Sequence, residues 1–329
     1  MKKEKRRVKK GLVKPPSPWI PGMKNVPVEY YEPSRQLSYL LPAIYDQIGL
    51  KKVFNKYRCD FVHAHNVACA YYSYRLGLLT LFDDWEYHYE YFDYHPPKTR
   101  ITGARSAGSS FLSYIKRIRT KKIVRELLRK LAVIVTNDEV KFKYCELGAK
   151  SIWCVPNVPI SYEKEHAFAV DVTKRDRITT CYIGAMSEDD TSVLRNTSGV
   201  RKLWSENDIG DLLVLEGENY VPHLETLRKL RMCHFNLLYW KPLPIHRYYL
   251  QNKAFLASVV GVPTIISSSL RATIKLLGEY AIPVDSLEDI PKIIKTYDYS
   301  KKYRLNPTHL WEYYQPKIKA AYEKASEYY

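Results

Sequence analysis

The sequence has no hydrophobic run that approaches the roughly 18 residues needed for a transmembrane helix. Its basic first residues, MKKEKRRVKK, are not followed by the apolar segment of a signal peptide. Its six cysteines include no CxxC pair, so the common zinc-finger and disulfide-framework patterns are not indicated. These absences predict a cytoplasmic protein whose cysteines are mostly small core residues.

Lys and Arg outnumber Asp and Glu, and the excess positive charge is concentrated in two segments. The 329 residues include 52 Lys and Arg against 35 Asp and Glu, a formal net charge of +17. Residues 1–14 and the segment 116–130 each carry eight cations and one acidic residue. Such segments favour an acidic membrane surface, nucleic acid or an anionic substrate. They are also typical of a solubilising tail and of a solvated helix face.

Strand and helix patterns alternate along the chain, which predicts an α/β fold with mostly parallel sheets. A first series has predicted strands at 60–64, 78–82, 131–136 and 151–155, and predicted helices at 33–57, 68–76, 109–130 and 138–147. A second series has predicted strands at 179–183, 212–215, 234–238, 264–266 and 281–284, and predicted helices at 200–205, 224–230 and 254–260. The pattern relaxes at 160–177, which we interpret as a linker, and 308–329 has the pattern of an amphipathic helix.

The stretch NKAFLASVVGVPTII (252–266) joins a polar start to an apolar helix and a buried strand. Residues Ala254 to Val260 suit a packed helix, and Gly261 is a natural residue just past a helix end. Asn252 and Lys253 would then stand at the helix N-terminus, where free backbone N–H groups and the helix dipole favour phosphate. The stretch therefore predicts an anion site in which Lys253 faces a diphosphate.

Several stretches together resemble the GT-B fold glycosyltransferases, most closely retaining family 4. They occur in the order and spacing of that family over roughly residues 55 to 290. The stretches are DFVHAHN (60–66), LLTLFDDWE (78–86), AVIVTNDEVKFKYCELGAKSIWCVPNVP (132–159), TTCYIGAM (179–186), LLVLEGE (212–218), HFNLLYWKP (234–242) and NKAFLASVVGVPTIISSS (252–269).

The resemblance implies two Rossmann-like domains facing a cleft, with the C-terminal helix packing back toward the N-terminal domain. The expected divisions are a basic flexible arm and Pro-rich linker (1–24), an abbreviated N-terminal acceptor domain (25–160), a donor domain (161–304) and a C-terminal helix (305–329). The N-terminal domain is called abbreviated because too few residues precede DFVHAHN for the first strand, glycine loop and second strand of the family.

The resemblance also implies a UDP- or GDP-linked sugar as the donor substrate, with no metal and no other cofactor. The donor-binding candidates are Gly184, Ala185, Arg247, Asn252 and Lys253. The catalytic candidates, expected at strand ends facing the cleft, are His65, Asp83, Asp84 and Glu86. A carboxylate there could accept or orient the proton of the acceptor hydroxyl.

Each candidate also has a structural explanation. Lys253 is equally typical of a solvated lysine at the start of a core helix. His63 and His65 are typical of strand-end histidines bonded to backbone, and Asp83 and Asp84 of helix caps or a solvated loop. The FDD pair does not have the spacing of the metal-binding DxD motif found in the other glycosyltransferase fold.

The sequence departs from the family at several positions. Tyr248 and Leu256 stand where the family has paired glutamates that hold the donor ribose. The Arg and Lys that follow the glycine loop are replaced by the acidic segment SEDD (187–190), and Trp85 replaces a histidine, with His88 nearby. Cations that could compensate are Arg195, Arg201 and Arg247.

Residues 109–130 predict a long basic helix with an apolar stripe. The stripe consists of Ile115, Ile118, Ile123, Leu127 and Leu128. Cations flank it, as in helices that lie in a membrane interface, so we expect peripheral binding to an anionic membrane. The same stripe would serve an ordinary helix that covers a sheet.

The sequence therefore predicts a cytoplasmic glycosyltransferase of the hexosyltransferase class (EC 2.4), with possible peripheral attachment to a membrane. It would move a sugar, with retention, from a nucleotide donor to a glycan, lipid-linked or protein acceptor, and nucleic acid is not an expected partner. The alternative is a noncatalytic protein of GT-B type that binds nucleic acid or an anionic surface through its basic arm and helix.

Overall fold

The computed structural model describes residues 61–85, 87–90, 107–186, 196–215 and 221–328, and of 107–116 it describes only the backbone. The basic arm, the helix predicted at 33–57 and the acidic segment 187–190 lie outside these residues. Within them the chain forms two parallel β-sheets flanked by helices, which confirms the predicted α/β class. No helix in this part of the chain is both long enough and apolar enough to cross a bilayer.

The first sheet has four parallel strands in their order along the chain. They are β1 (Phe61–Ala64), β2 (Leu79–Asp84), β3 (Ala132–Val135) and β4 (Ser151–Cys154), and the helices between them are α1 (Val67–Arg75), α2 (Ala107–Lys130) and α3 (Asp138–Glu146). The side chain of Asn66 accepts a hydrogen bond from Cys69 N at 2.8 Å, and Asn137 accepts one from Val140 N at 3.0 Å. A capping asparagine after β1 and after β3 thus begins the helix that follows.

The second sheet has five parallel strands in the order β6-β5-β7-β8-β9. They are β5 (Thr179–Ile183), β6 (Asp211–Leu215), β7 (Phe235–Leu238), β8 (Thr264–Ser267) and β9 (Ala281–Val284). Its helices are α5 (Val200–Glu206), α6 (His223–Arg231), α7 (Asn252–Val259), α8 (Arg271–Leu277) and α9 (Ile290–Thr296). The central strands β3, β7 and β8 are buried along their whole length, as in parallel sheets that helices cover on both faces.

The segment 160–177, interpreted as a linker, contains helix α4 (Ser161–Phe168), which the sequence pattern did not predict. Glu163 accepts a hydrogen bond from Ile160 N at 2.9 Å and so caps the first turn. Of the residues in α4 only Ala167 is buried, and a helix with one buried position has no visible apolar period.

The last helix, α10 (Gln315–Ser326), packs on the first sheet, as expected. Its Ala321 and Ala325 form one cluster with Leu81, Ala132 and Ile134 of the sheet. It begins later than predicted because 3-10 turns occupy Pro307–His309 and Trp311–Tyr314, and Pro316 is tolerated only near a helix start.

The two halves also meet through the 3-10 helix Pro244–Tyr248, which precedes α7. Asn137 donates a hydrogen bond from Nδ2 to the carbonyl oxygen of Tyr248 at 2.7 Å. The Tyr248 ring lies 4.3 Å from that of Tyr87 and belongs to the core of the first sheet. The segment that leads into α7 is therefore anchored to the first sheet.

Candidate active site

The order of strands in the second sheet reverses around β5. This strand pairs with β6 on one side and with β7 on the other. In open parallel sheets, ligands bind at the carboxyl ends of the strands that flank such a reversal. There β5 ends at Ile183, and Gly184 follows with a φ of +114°, a conformation that favours glycine. The topology thus places Gly184 at the edge of the sheet where a ligand is expected.

Lys253 reaches the same strand end from α7. Asn252 and Lys253 are the first two residues of that helix, as the sequence predicts. The Nζ of Lys253 donates a hydrogen bond to the carbonyl oxygen of Ile183 at 2.6 Å. A Cβ atom added to residue 184 would collide with the same Nζ. The structure therefore brings Lys253 and Gly184, two of the donor-binding candidates, into contact.

The other donor-binding candidates have exposed side chains. Ala185 follows Gly184, and Asn252 precedes Lys253. Arg247 lies on the 3-10 helix before α7, with its guanidinium carbon 4.5 Å from the centre of the Tyr248 ring. Of the cations considered as compensation, Arg201 is exposed on α5, and Arg195 lies outside the described residues.

Two sources of positive charge lie near the carboxyl end of β5. The N-terminus of α7 carries the partial positive charge of the helix dipole, and the Lys253 ammonium adds a full charge. Gly184 has no side chain, so the Lys253 ammonium can lie against the backbone at this strand end. This arrangement can bind an anion such as a phosphate group.

The two positions where the family has glutamates are core positions in this chain. Tyr248 is 5% exposed and packs with the first sheet, whereas Leu256 is 7% exposed and belongs to a core cluster with residues of α6 and the second sheet. Neither side chain can accept hydrogen bonds from a ribose as a carboxylate does. The structure therefore has no carboxylate at either position where the family has one.

On the first sheet, His63, His65 and Asp83 come together at the ends of β1 and β2. The carboxylate Oδ2 of Asp83 lies 3.2 Å from Nε2 of His63 and 3.0 Å from Nδ1 of His65. The two imidazole rings stack with centroids 4.5 Å apart. His65 is 63% exposed, so it is the member of this cluster that a substrate can reach. The sequence placed His65 and Asp83 in one site, but favoured a backbone partner for His63.

Asp84 does not join this cluster, contrary to the prediction that it faces the cleft. It is fully buried and accepts hydrogen bonds from the Tyr144 hydroxyl, from His88 N at 3.1 Å and from the His88 ring. Burial, reinforced by the charge of Asp84, raises the pKa of Tyr144 well above its ordinary value, so Tyr144 remains a donor. Asp84 thus caps the turn that follows β2, which was the structural alternative to a catalytic role. Glu86, the fourth catalytic candidate, lies outside the described residues.

Trp85 lies beside the cluster and is 51% exposed. Its indole Nε1 donates a hydrogen bond to the carbonyl oxygen of His65 at 2.9 Å, which fixes the ring against the end of β1. Two residues later Tyr87 has a φ of +53°, which is rare for a bulky side chain, and is buried between Tyr144 and Tyr248. Trp85 and Tyr87 therefore connect the cluster to the segment that leads into α7.

Tyr322 is a member of the site that the sequence did not indicate. Its hydroxyl lies 2.7 Å from Nδ1 of His63, and its ring stacks on Phe61 at 5.0 Å. It reaches β1 from α10, near the opposite end of the chain. No local sequence pattern predicts a contact between residues so far apart in the chain. The expected packing of the last helix on the first sheet did indicate that this helix would contribute side chains to that sheet.

The apolar stripe of α2 is divided between core and surface. Leu127 and Leu128 of the stripe are completely buried, as is Val124 beside them, as expected of a helix that covers a sheet. Ile118 is 50% exposed, and the surface around it is lined by Lys121, Lys122, Arg125, Glu126, Arg129 and Lys130. The half of the helix with described side chains is therefore anchored by the first sheet and has a basic outer face.

Comparison with solved structures identifies the fold. Trehalose 6-phosphate synthase from Burkholderia multivorans superposes with a TM-score of 0.59 at 8% identity, over 89% of this chain and 78% of that one. Sucrose-phosphate synthase from Thermosynechococcus elongatus gives 0.54 at 13% identity, over 89% and 80%. HepE of Anabaena, in complex with UDP, gives 0.51 at 11% identity, over 92% and 86%.

No protein-family model matches the sequence, and no curated protein sequence matches it. At these low identities the structural likeness establishes the architecture and nothing finer. The described part of this chain has the two parallel sheets flanked by helices on which the structural match rests. This chain has the GT-B fold of glycosyltransferases.

Proposed function

We propose that the protein is a glycosyltransferase that uses a nucleotide-diphosphate-sugar donor. The observation that carries the proposal is the contact of Lys253 with the Ile183–Gly184 strand end, at the strand-order reversal of the second sheet. That position is where a GT-B fold offers a site to a nucleotide. UDP is the first nucleotide to test, because HepE has a structure in complex with it.

In this proposal the positive end of α7 and Lys253 stabilise the diphosphate as it leaves the sugar. The negative charge on the leaving group increases in the transition state, so a fixed cation there accelerates transfer more than it strengthens donor binding. The absence of a side chain at Gly184 lets the Lys253 ammonium lie at the strand end, where it would face the phosphate. Asn252, Ala185 and the exposed Arg247 complete the donor side.

His65 and Asp83 would hold the acceptor. Asp83 fixes the orientation of the His65 ring through Nδ1, which leaves Nε2 directed away from the carboxylate. An acceptor hydroxyl bonded to this pair would be positioned for attack on the donor sugar. As the resemblance to family 4 implies, we expect transfer of a hexose-type sugar with retention to a glycan, lipid-linked or protein acceptor.

The test is calorimetric titration of UDP, GDP and their sugar conjugates into the full-length protein and its Lys253→Ala variant. A lost charge-assisted hydrogen bond is worth about 1.5–3 kcal/mol, so affinity for the preferred nucleotide should fall roughly tenfold to a hundredfold. Lys319→Ala is the control, because Lys319 is a 79% exposed lysine on α10. If neither UDP nor GDP binds, or if Lys253→Ala binds as tightly as the parent, the donor site is not where we place it.

We also propose that the basic face of α2 attaches the protein to an anionic membrane. Ile118 is exposed among cations there, as in an interfacial helix. Co-sedimentation with vesicles containing phosphatidylserine at low salt should occur and should weaken after Ile118→Asp. Absence of sedimentation at low salt removes this proposal. Strong, salt-dependent binding to a polyanion with no nucleotide binding would instead favour the noncatalytic alternative.

A further inference from the structure

Three potential metal ligands converge on the first sheet for a reason that lies in the strand register. His63 pairs with Leu81, and Ala64 with Phe82, so the next position along β1 is level with Asp83. Alternate residues of a strand point to the same face, which brings His63, His65 and Asp83 to one side of the sheet. Their ligand atoms all lie within 4.8 Å of one another.

The separations are close to those of a tetrahedral metal site. An ion about 2.0–2.1 Å from each ligand atom holds those atoms about 3.3 Å apart. The carboxylate Oδ2 of Asp83 lies 3.2 Å from Nε2 of His63 and 3.0 Å from Nδ1 of His65. The imidazole rings stack at 27°, so their nitrogen lone pairs do not meet at one point until one ring turns, and His65 is exposed enough to rotate its ring.

The ring of His63 is supported in the way that metal-bound histidines are. Its second nitrogen, Nδ1, lies 2.7 Å from the Tyr322 hydroxyl. With an ion on Nε2, Nδ1 would carry the proton and donate it to the Tyr322 oxygen, which fixes both tautomer and ring orientation.

We propose that His63, His65 and Asp83 bind one divalent transition-metal ion, with a fourth coordination position open to solvent. Two imidazoles and one carboxylate suit Zn²⁺ and its first-row neighbours rather than Mg²⁺ or Ca²⁺, which require oxygen ligands. Three protein ligands with an open position are typical of a catalytic rather than a structural zinc site. The proposal goes beyond the resemblance, which implies no metal.

Other histidine and carboxylate pairs in the described residues stop at two ligands. His223 contacts Glu163, and His88 contacts Asp84, without a third group of ligand type beside them. The His223–Glu163 pair is partly buried and belongs to α6 and α4, away from the first sheet. It therefore offers a matched control for simple pairing of a histidine with a carboxylate.

If the proposed transfer reaction also holds, the ion's role follows from its open position. An acceptor hydroxyl that binds there would have its pKa lowered, because the ion stabilises the alkoxide form. This role rests on the proposed function, whereas binding of the ion does not. The two proposals can therefore be tested separately.

The test is to titrate metal ions into full-length protein that has been treated with a chelator. Binding of Zn²⁺ is measured by calorimetry, and binding of Co²⁺ is measured by visible absorption. We expect one equivalent to bind, with the intense absorption of a four-coordinate cobalt site. Asp83→Asn and His65→Ala should each weaken binding at least tenfold. Tyr322→Phe keeps the ring that stacks on Phe61 and should weaken binding about tenfold through the lost support of His63. His223→Gln should bind as the parent does.

The cobalt spectrum needs no variant, so the test does not depend on how well a substituted protein folds. Absence of stoichiometric Zn²⁺ binding, or equal binding by Asp83→Asn, would overturn the proposal and leave the cluster as a hydrogen-bonded support for α10. UDP titration separates the two proposals: Lys253→Ala should lose nucleotide affinity and keep Zn²⁺ affinity, and His65→Ala should do the reverse.

Discussion

The ammonium of Lys253 occupies the space that a side chain on Gly184 would need. Lys253 also donates to the carbonyl oxygen of Ile183, the last residue of β5. The cation is thereby fixed at the strand end rather than left on a flexible stem. A fixed cation has little conformational entropy to lose when an anion binds, which favours a preorganised site.

Gly184→Ala should therefore impair the donor site. The added methyl group both displaces the Lys253 ammonium and places alanine at a φ of +114°. We expect nucleotide affinity to fall about as far as in Lys253→Ala, roughly tenfold or more, because the same cation is displaced. Calorimetry gives the affinity.

Gly261→Ala is the control, because it introduces the backbone strain of a positive φ without displacing a neighbouring side chain. Gly261 also has a positive φ, of +77°, but a Cβ there would meet nothing within 4 Å. This variant should lose some stability and keep its nucleotide affinity. Normal nucleotide binding by Gly184→Ala would show that the Lys253 position is not needed.

Asp84→Asn should cost stability rather than act on catalysis alone. Asp84 is fully buried and accepts hydrogen bonds from Tyr144 and His88. Hydrogen bonds to a charged group each contribute about 1.5–3 kcal/mol, so we expect a loss of about 3 kcal/mol in urea unfolding. Asp208→Asn, at a 94% exposed carboxylate, should change stability by less than about 0.5 kcal/mol. Undiminished stability with abolished activity would restore Asp84 as a catalytic group.

His65→Ala should reduce turnover without reducing donor affinity. The ring lies on the first sheet, whereas the proposed donor site lies at the end of β5. A group that positions or accepts a proton contributes about a hundredfold or more to rate. Steady-state kinetics with the preferred donor would measure kcat, and proton NMR of the product would give the anomeric configuration, for which we expect retention. An unchanged kcat would remove His65 from the acceptor site.

His309 should make stability depend on pH below neutrality. It is fully buried against Phe255 and Tyr280, and burial lowers its pKa below the ordinary 6.5. The neighbouring Tyr280 is neutral there, since burial raises its pKa to about 12. The unfolded chain therefore binds a proton first as pH falls through 6.5, and the free energy of unfolding must decrease over that range.

Urea unfolding at intervals from pH 7.5 to 5 measures this dependence. His309→Gln should reduce the slope by up to about 1.4 kcal/mol per pH unit, the value for one proton. Part of the slope should remain, because burial also lowers the pKa of His234. An unchanged slope in His309→Gln would mean that this histidine is protonated as easily in the folded protein as in the unfolded chain.

The strands were predictable because burial on both faces leaves a continuous apolar run. Each strand in the described part of the chain is predicted to within two residues at either end. The short helices α4, α8 and α9 were missed, since helices of seven or eight residues with few buried positions give no clear period. The N-terminal positions of Asn252 and Lys253 followed from the polar start of an apolar helix and the glycine after it.

What the residues alone established is local: the strands, the helix that begins at Asn252 and the glycine that follows β5. Whether Asp83 or Asp84 faces substrate could not be read from them, because adjacent strand residues point to opposite faces and packing chooses which face is buried. In the fold, α10 brings Tyr322 to His63, and the core of the first sheet encloses Asp84. Contacts such as these join residues far apart in the chain, and they form only when helices cover particular faces of the sheets.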